Sequence, residues 1–343
     1  MVVAEERRVW LVALAFAQAS QVRLKPEGGS TARGRFPQRI GPLFYNKMQK
    51  LIVILGPTSG GKSDTAVKIA KKFDGEIISA DSRQVYKGLD IGTGKITKKE
   101  MRGIPHHMLD VANPKKRFDV AMWQKQTKII IADIFARGKL PIICGGTGFY
   151  IQSIVDNLEL PEVPPNKKLR EKLEKKTLPE LIEILKKLDP EKLKTIDTKN
   201  PVRLVRAIEI ATQLGSVPKL QKNNNDYEIL QIGLTFPDKI LKKRIFIRLR
   251  RRMKMGMLDE ARKLHKAGLS WKRMNELGLE YRHMALLLNN RMSREEFIQK
   301  LNTEIWHYAR RQWQWFKRDK NIKWFSPTEI NKIEKEVEKF MKK

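Results

Sequence analysis

Leu51-Ile52-Val53-Ile54-Leu55 runs directly into Gly56-Pro57-Thr58-Ser59-Gly60-Gly61-Lys62-Ser63, and an amphipathic stretch carrying Ala66, Ile69, Ala70 and Phe73 follows. Buried strand, glycine-rich loop and helix, in that order, are the setting of a P-loop, Gly-x-x-x-x-Gly-Lys-Ser. The glycines let the loop curl until several backbone N–H groups point at one anion. The helix adds the positive end of its dipole. Lys62 supplies a mobile cation and Ser63 a hydroxyl suited to Mg²⁺. Gly56 to Ser63 are therefore expected to bind a di- or triphosphate. The loop leaves open which compound carries the phosphates and what becomes of it.

The pattern outward from this loop alternates strand and helix. Glu76–Ala80 reads as a strand ending on Asp81-Ser82-Arg83, next to the loop strand. Val120 to Arg137 reads as a helix, and Leu140–Cys144 as a strand ending on Gly145-Gly146-Thr147. These strands are apolar throughout rather than alternating, which marks parallel strands covered on both faces. The fold class is α/β: a P-loop NTPase-like parallel sheet flanked by helices, with a small all-helical insertion. Residues 1–47 read as an N-terminal extension outside the catalytic fold, with Met48 as a natural start. Residues 48–160 form the first part of the core, and 161–222 a helical insertion. Residues 223–343 form the second part, with C-terminal helices that include one long helix over Pro237 to Lys266.

A net charge of +32 and a pI near 10.2 far exceed what a small anionic substrate requires. They suit a polyanion, because each neutralised phosphate releases counterions. The single cysteine, Cys144, excludes a disulfide framework and fits a reducing compartment. The pair His106-His107 lacks companions at zinc spacing. No apolar run reaches membrane-spanning length, so a cytoplasmic protein with no membrane contact is expected.

Ligands of such sheets collect at the carboxyl ends of the strands. Asp81 sits there, and three roles are open to it: Mg²⁺ binding, acceptance of a hydroxyl proton, or general base toward an amine. A turn aspartate capping its own segment is the bland alternative. Thr147, in Gly145-Gly146-Thr147-Gly148, offers a small hydroxyl on a backbone that can approach a ligand closely. Asp90-Ile91-Gly92-Thr93-Gly94-Lys95 is a second turn able to approach phosphate. Arg203 and Arg206 share one helix face. Arg244, Arg248, Arg251 and Arg252 form a basic stripe on another helix. Arg310-Arg311-Gln312-Trp313-Gln314-Trp315-Phe316-Lys317 mixes arginine with aromatics, a composition able to stack unpaired bases and hold phosphates.

Taken in order, the P-loop, Ile78-Ser79-Ala80-Asp81-Ser82-Arg83-Gln84-Val85-Tyr86, Leu89 to Lys95, Pro105-His106-His107 and Gly145-Gly146-Thr147-Gly148 resemble the tRNA dimethylallyltransferases. Asn200-Pro201-x-Arg203-x-x-Arg206-Ala207, Leu277-Gly278-x-x-Tyr281-Arg282 and Arg310-Arg311-Gln312 complete the likeness, which covers Lys50 to about Phe325. The resemblance implies transfer of a dimethylallyl group from dimethylallyl pyrophosphate to the exocyclic amine of the tRNA adenine just 3′ of the anticodon. It implies Asp81, Thr147 and Arg248 as catalytic residues, Gly56 to Ser63 on pyrophosphate, and Mg²⁺ on Ser63. It implies Ser82, Arg83, Gln84, Arg203, Arg206, Arg282, Arg310, Arg311 and Lys317 on the anticodon stem-loop, with the protein a monomer. The alternatives are an adenylate isopentenyltransferase acting on free nucleotide, a P-loop nucleotide or small-molecule kinase, and an RNA-binding protein with a degenerate nucleotide fold.

Overall fold

The computed structural model describes residues 48–343; the reading of 1–47 lies outside the described residues. The strands are β1 Gln49–Leu55, β2 Gly75–Ala80, β3 His106–His107, β4 Leu140–Gly145, β5 Tyr227–Leu234 and β6 Lys323–Phe325. All neighbours are parallel, in the order β3-β2-β4-β1-β5-β6. The helices are α1 Lys62–Lys72, α2 Lys98–Met101, α3 Val120–Ala136, α4 Gly148–Val155, α5 Lys167–Leu173, α6 Leu178–Leu188, α7 Pro190–Thr195 and α8 Pro201–Leu214. They continue as α9 Asp238–Lys254, α10 Met257–Lys266, α11 Trp271–Leu277, α12 Leu279–Leu288, α13 Arg294–Phe316 and α14 Ile330–Lys342.

Alternation along the buried strands divides the core. Leu51, Val53 and Leu55 face one layer, with Trp123, Ile131, Leu241, Ile245 and Phe297 from the helices. Ile52 and Ile54 face the other, with Ala66, Ile69, Ile333 and Val337 from α1 and α14. Both faces are thus covered by helices, which is why these strands carry no polar alternation.

β4 inserts between β1 and β2, so Asp81 stands two strands from the phosphate loop rather than on the neighbouring strand. The helix expected over Pro237 to Lys266 is broken at Gly256, which adopts a left-handed φ of 92° and separates α9 from α10. Glycine reaches that conformation without steric penalty and so ends the helix there. His107 serves structure: its Nε2 lies 2.7 Å from Glu76 Oε2, and Arg137 Nη2 donates to the same oxygen at 2.9 Å.

The chain divides into two compact units, of which the second is Asp156–Asn224. Within it, Leu173, Leu181, Leu185, Leu204 and Ile208 form a separate core. A capping box of Thr177 and Glu180 opens α6, and the Asn200 side chain caps α8 with Pro201 in its first turn. The buried Glu209 carboxylate accepts from Arg170 Nε at 2.9 Å and Asn166 N at 2.6 Å, and pairs with Arg206.

Candidate active site

The loop after β1 has the shape an anion requires. Gly56 has φ +142°, and a Cβ there would collide with the Leu234 carbonyl oxygen, so only glycine fits. The Gly60 amide donates to the Pro57 carbonyl at 3.1 Å, and α1 begins at Lys62. Lys62 Nζ donates to the Pro57 carbonyl at 2.7 Å, which keeps the ammonium over its own loop. Burial lowers the Lys62 pKa to about 8, with Arg248 adding to the effect while Asp81 opposes it. A half-buried cation so placed gains from an anionic ligand. Ser63 is exposed in the first helical turn.

Asp81 and Thr147 meet at the ends of β2 and β4. Thr147 Oγ1 accepts the Ser82 N–H at 3.0 Å. Asp81 Oδ1 accepts the N–H groups of Arg83 at 2.8 Å and Gln84 at 3.3 Å. The aspartate therefore does cap its own turn. Only one oxygen is used for that, and among the described residues Oδ2 remains the open acceptor of a half-buried carboxylate. Arg83 Nη1 turns back to the Ser82 carbonyl at 3.2 Å.

The basic stripe of α9 separates into different roles. Arg244 Nε donates to the Ser59 carbonyl at 2.9 Å, and Arg248 Nη1 lies 3.4 Å from Thr58 Oγ1. Both arginines thus touch the phosphate loop. Burial, reinforced by Arg252, lowers the Arg248 pKa to about 10. Arg252 is itself buried and paired with Glu280 at 3.0 Å, whereas Arg251 is exposed. The Asp90–Lys95 turn gives its N–H groups at Asp90, Ile91 and Gly92 to Glu260, so its anion is internal.

Gln312, grouped by sequence with Arg310 and Arg311, is buried and bridges two loops. Its Oε1 accepts the Thr58 N–H at 2.8 Å, and its Nε2 donates to the Gly146 carbonyl at 2.9 Å. The available signal was helical phase: Gln312 lies four residues before buried Phe316 and three after buried Ala309. Gln312→Leu leaves both loop groups unpaired and is expected to lower unfolding free energy by roughly 2 kcal/mol or more. Urea unfolding curves measure this, and an unchanged midpoint would refute the bridging role.

Arg282, Arg310, Arg311 and Lys317 are exposed, with Arg311 6.0 Å from the Tyr308 ring centroid. Trp313 packs edge-on to Trp324 at 4.4 Å, and Phe316 is core. In the second unit Arg203 is exposed, 3.6 Å from Asp197. Arg206 binds Glu209 and donates to the Val163 carbonyl at 2.9 Å. Among the described residues no three His, Cys, Asp or Glu side chains gather as a metal site. An exposed Ser63 hydroxyl fits Mg²⁺ held mostly by ligand phosphate oxygens and water, the habit of that ion.

Sheet order, loop and flanking helices define a P-loop α/β protein, with the candidate site residues at the carboxyl ends of β1, β2 and β4. Models of two families match the chain: IPP transferase over residues 84–319, and isopentenyl transferase over 49–114. The chain belongs to the IPP transferase family. It is 44% identical over 272 residues to tRNA dimethylallyltransferase 2 of Treponema denticola, covering 78% of this chain and 91% of that protein. It is 41% identical over 275 residues to tRNA dimethylallyltransferase 1 of Syntrophus aciditrophicus, covering 79% and 90%. The crystal structure of the full-length tRNA isopentenylpyrophosphate transferase of Bacillus halodurans matches with a TM-score of 0.64 at 35% identity, covering 84% of this chain and 95% of that one.

Proposed function

We propose that this chain is a tRNA dimethylallyltransferase: it moves the dimethylallyl group of dimethylallyl pyrophosphate onto the exocyclic amine of the adenine immediately 3′ of the anticodon. The observation that carries this reading is an intact phosphate loop facing a carboxylate two strands away, with a carboxylate-free turn between them. Phosphoryl-transfer enzymes with this loop hold Mg²⁺ with an aspartate as well as the loop hydroxyl. Here the strand beside β1 ends in Cys144-Gly145-Gly146-Thr147, and burial raises the Cys144 thiol to about 11, so it stays neutral. The relatives named above support the same reading.

In this chemistry the bond from the allylic carbon to the pyrophosphate oxygen breaks, and its electron pair leaves with pyrophosphate. The adenine amine forms the new carbon–nitrogen bond, and its proton passes to Asp81 Oδ2. The loop N–H groups, Lys62 and Arg248 hold the charge that develops on the leaving group. Mg²⁺, when bound at Ser63, supplies further neutralisation of that charge. Thr147 lines the passage where base and donor meet, and the base leaves its stack to enter it. Ser82, Arg83, Gln84, Arg203, Arg206, Arg282, Arg310, Arg311 and Lys317 contact the anticodon stem-loop. The reading extends to a monomer working in the cytoplasm, a reducing compartment that suits the single free Cys144. Among the described residues no helix is long and apolar enough to cross a membrane.

The direct test is mass analysis of nucleosides from tRNA incubated with the protein, dimethylallyl pyrophosphate and Mg²⁺. A prenyl group on adenosine in tRNA is the expected result. A prenyl group on free AMP alone, or a phosphoryl group transferred from ATP, would overturn the reading in favour of the two alternative enzymes. A salt series tests the RNA surface. Arg310→Ala/Arg311→Ala, and Arg203→Ala separately, should flatten log affinity for tRNA against log salt by about 0.7 to 0.9 per lost phosphate contact. Pyrophosphate affinity should stay unchanged. Unaltered slopes in both variants would mean that these charges are merely solvated.

A further inference from the structure

We propose that Glu260 is a positioning residue for the leaving-group site: it templates the Asp90–Lys95 turn and, through that turn, fixes Arg248 against the phosphate loop. The inference rests on the assignment of Arg248 to the donor's pyrophosphate. Both Glu260 oxygens are engaged. Oε2 accepts the N–H groups of Asp90 at 3.0 Å and Ile91 at 2.6 Å. Oε1 accepts the Gly92 N–H at 2.9 Å and the Tyr281 hydroxyl at 2.7 Å. Tyr281 is buried, and burial, followed by the Glu260 charge, holds its phenol protonated as a donor.

The carbonyls of the same turn face α9. Arg252 Nη1 donates to the Gly92 carbonyl at 2.6 Å, and Arg248 Nη2 to the Gly94 carbonyl at 2.8 Å. Gly94 has φ +61°, and a Cβ there would strike the Arg248 guanidinium. A carboxylate therefore gathers the donors of the turn on one side, and two arginines read its acceptors on the other. Arg248 has a long, flexible stem, and a fixed carbonyl at Nη2 leaves Nη1 at Thr58 Oγ1, 3.4 Å away, on the phosphate loop. Fixing a donor before charge develops is what makes it effective in the transition state. A glutamine at 260 would offer one acceptor oxygen and an NH₂, and could not receive three N–H groups and a phenol.

The test is a double-mutant cycle in the full-length chain, reading affinity for inorganic pyrophosphate with Mg²⁺, with thermal melting in parallel. Glu260→Gln and Arg248→Ala should each weaken binding by about tenfold or more, the scale of one charge-assisted hydrogen bond. The double variant should bind no more weakly than Arg248→Ala alone. A purely structural role would lower the melting temperature and leave the two effects multiplicative. Wild-type affinity in folded Glu260→Gln, or multiplicative losses, would overturn the proposal while leaving Arg248's assignment intact. Unchanged affinity in Arg248→Ala would overturn that assignment and the proposal with it. If Glu260→Gln does not fold, Tyr281→Phe runs through the same cycle. Its loss should be smaller and vanish in the Arg248→Ala background; no loss, or a multiplicative one, would overturn the proposal.

Discussion

Asp81→Asn is expected to slow single-turnover prenyl transfer by roughly two to four orders of magnitude, the range for loss of a general base. The substitution suits the geometry. Asp81 Oδ1 is occupied by the N–H groups of Arg83 and Gln84, and the asparagine carbonyl can keep both bonds. The amide then replaces Oδ2, the atom to which the proposed mechanism sends the proton. Folding and tRNA affinity should therefore survive while the chemical step fails. Asp81→Ala is the harsher control, since it also releases the turn. A near-wild-type rate in Asp81→Asn would remove the base from the mechanism and leave this aspartate as a turn cap alone.

What could be read from sequence was whatever lies contiguous in it. The phosphate loop is eight consecutive residues, and Asp81 and Thr147 each follow an apolar strand, so all three announced themselves locally. Strand order is not local. Nothing near Asp81 reveals that β4 pairs with both β1 and β2, which moves the carboxylate one strand further from the loop and puts Thr147 between them. The same limit hid Glu260, 170 residues from Asp90, and Gln312, 254 residues from Thr58. Periodicity also misled at Arg252. A charge on a helix is ordinarily assigned outward, yet Arg252 lies on the buried side with Leu241, Ile245 and Leu249, tolerated because Glu280 and the Gly92 carbonyl pair it. Arg206 shares α8 with Arg203, but its guanidinium is committed to Glu209 and Val163, so its loss should register in folding as well as in RNA binding.

Lys62→Ala should weaken dimethylallyl pyrophosphate use by roughly two to three orders of magnitude, comparable to loss of one preorganised donor to a developing anion. Affinity for tRNA should be nearly intact, because the proposed mechanism assigns the phosphate loop to the other substrate. The pH dependence makes the prediction sharper. Burial holds the free Lys62 ammonium at a pKa of about 8. Bound pyrophosphate favours the charged form, so the pKa in the complex lies above that of the free protein. Donor affinity is then fully present below about pH 8 and declines as pH rises through that value, by up to about tenfold per unit, until the pKa of the complex is reached. Lys62→Arg keeps a cation that does not titrate in this range, so its profile should be flat there even if its affinity is lower at every pH. Donor titrations of both proteins from pH 7 to about 9.5 decide the matter. A flat wild-type profile, or a decline that persists unchanged in Lys62→Arg, would show that some group other than Lys62 sets the response. Parallel losses of tRNA affinity in Lys62→Ala would show instead that the loop holds RNA rather than the leaving group.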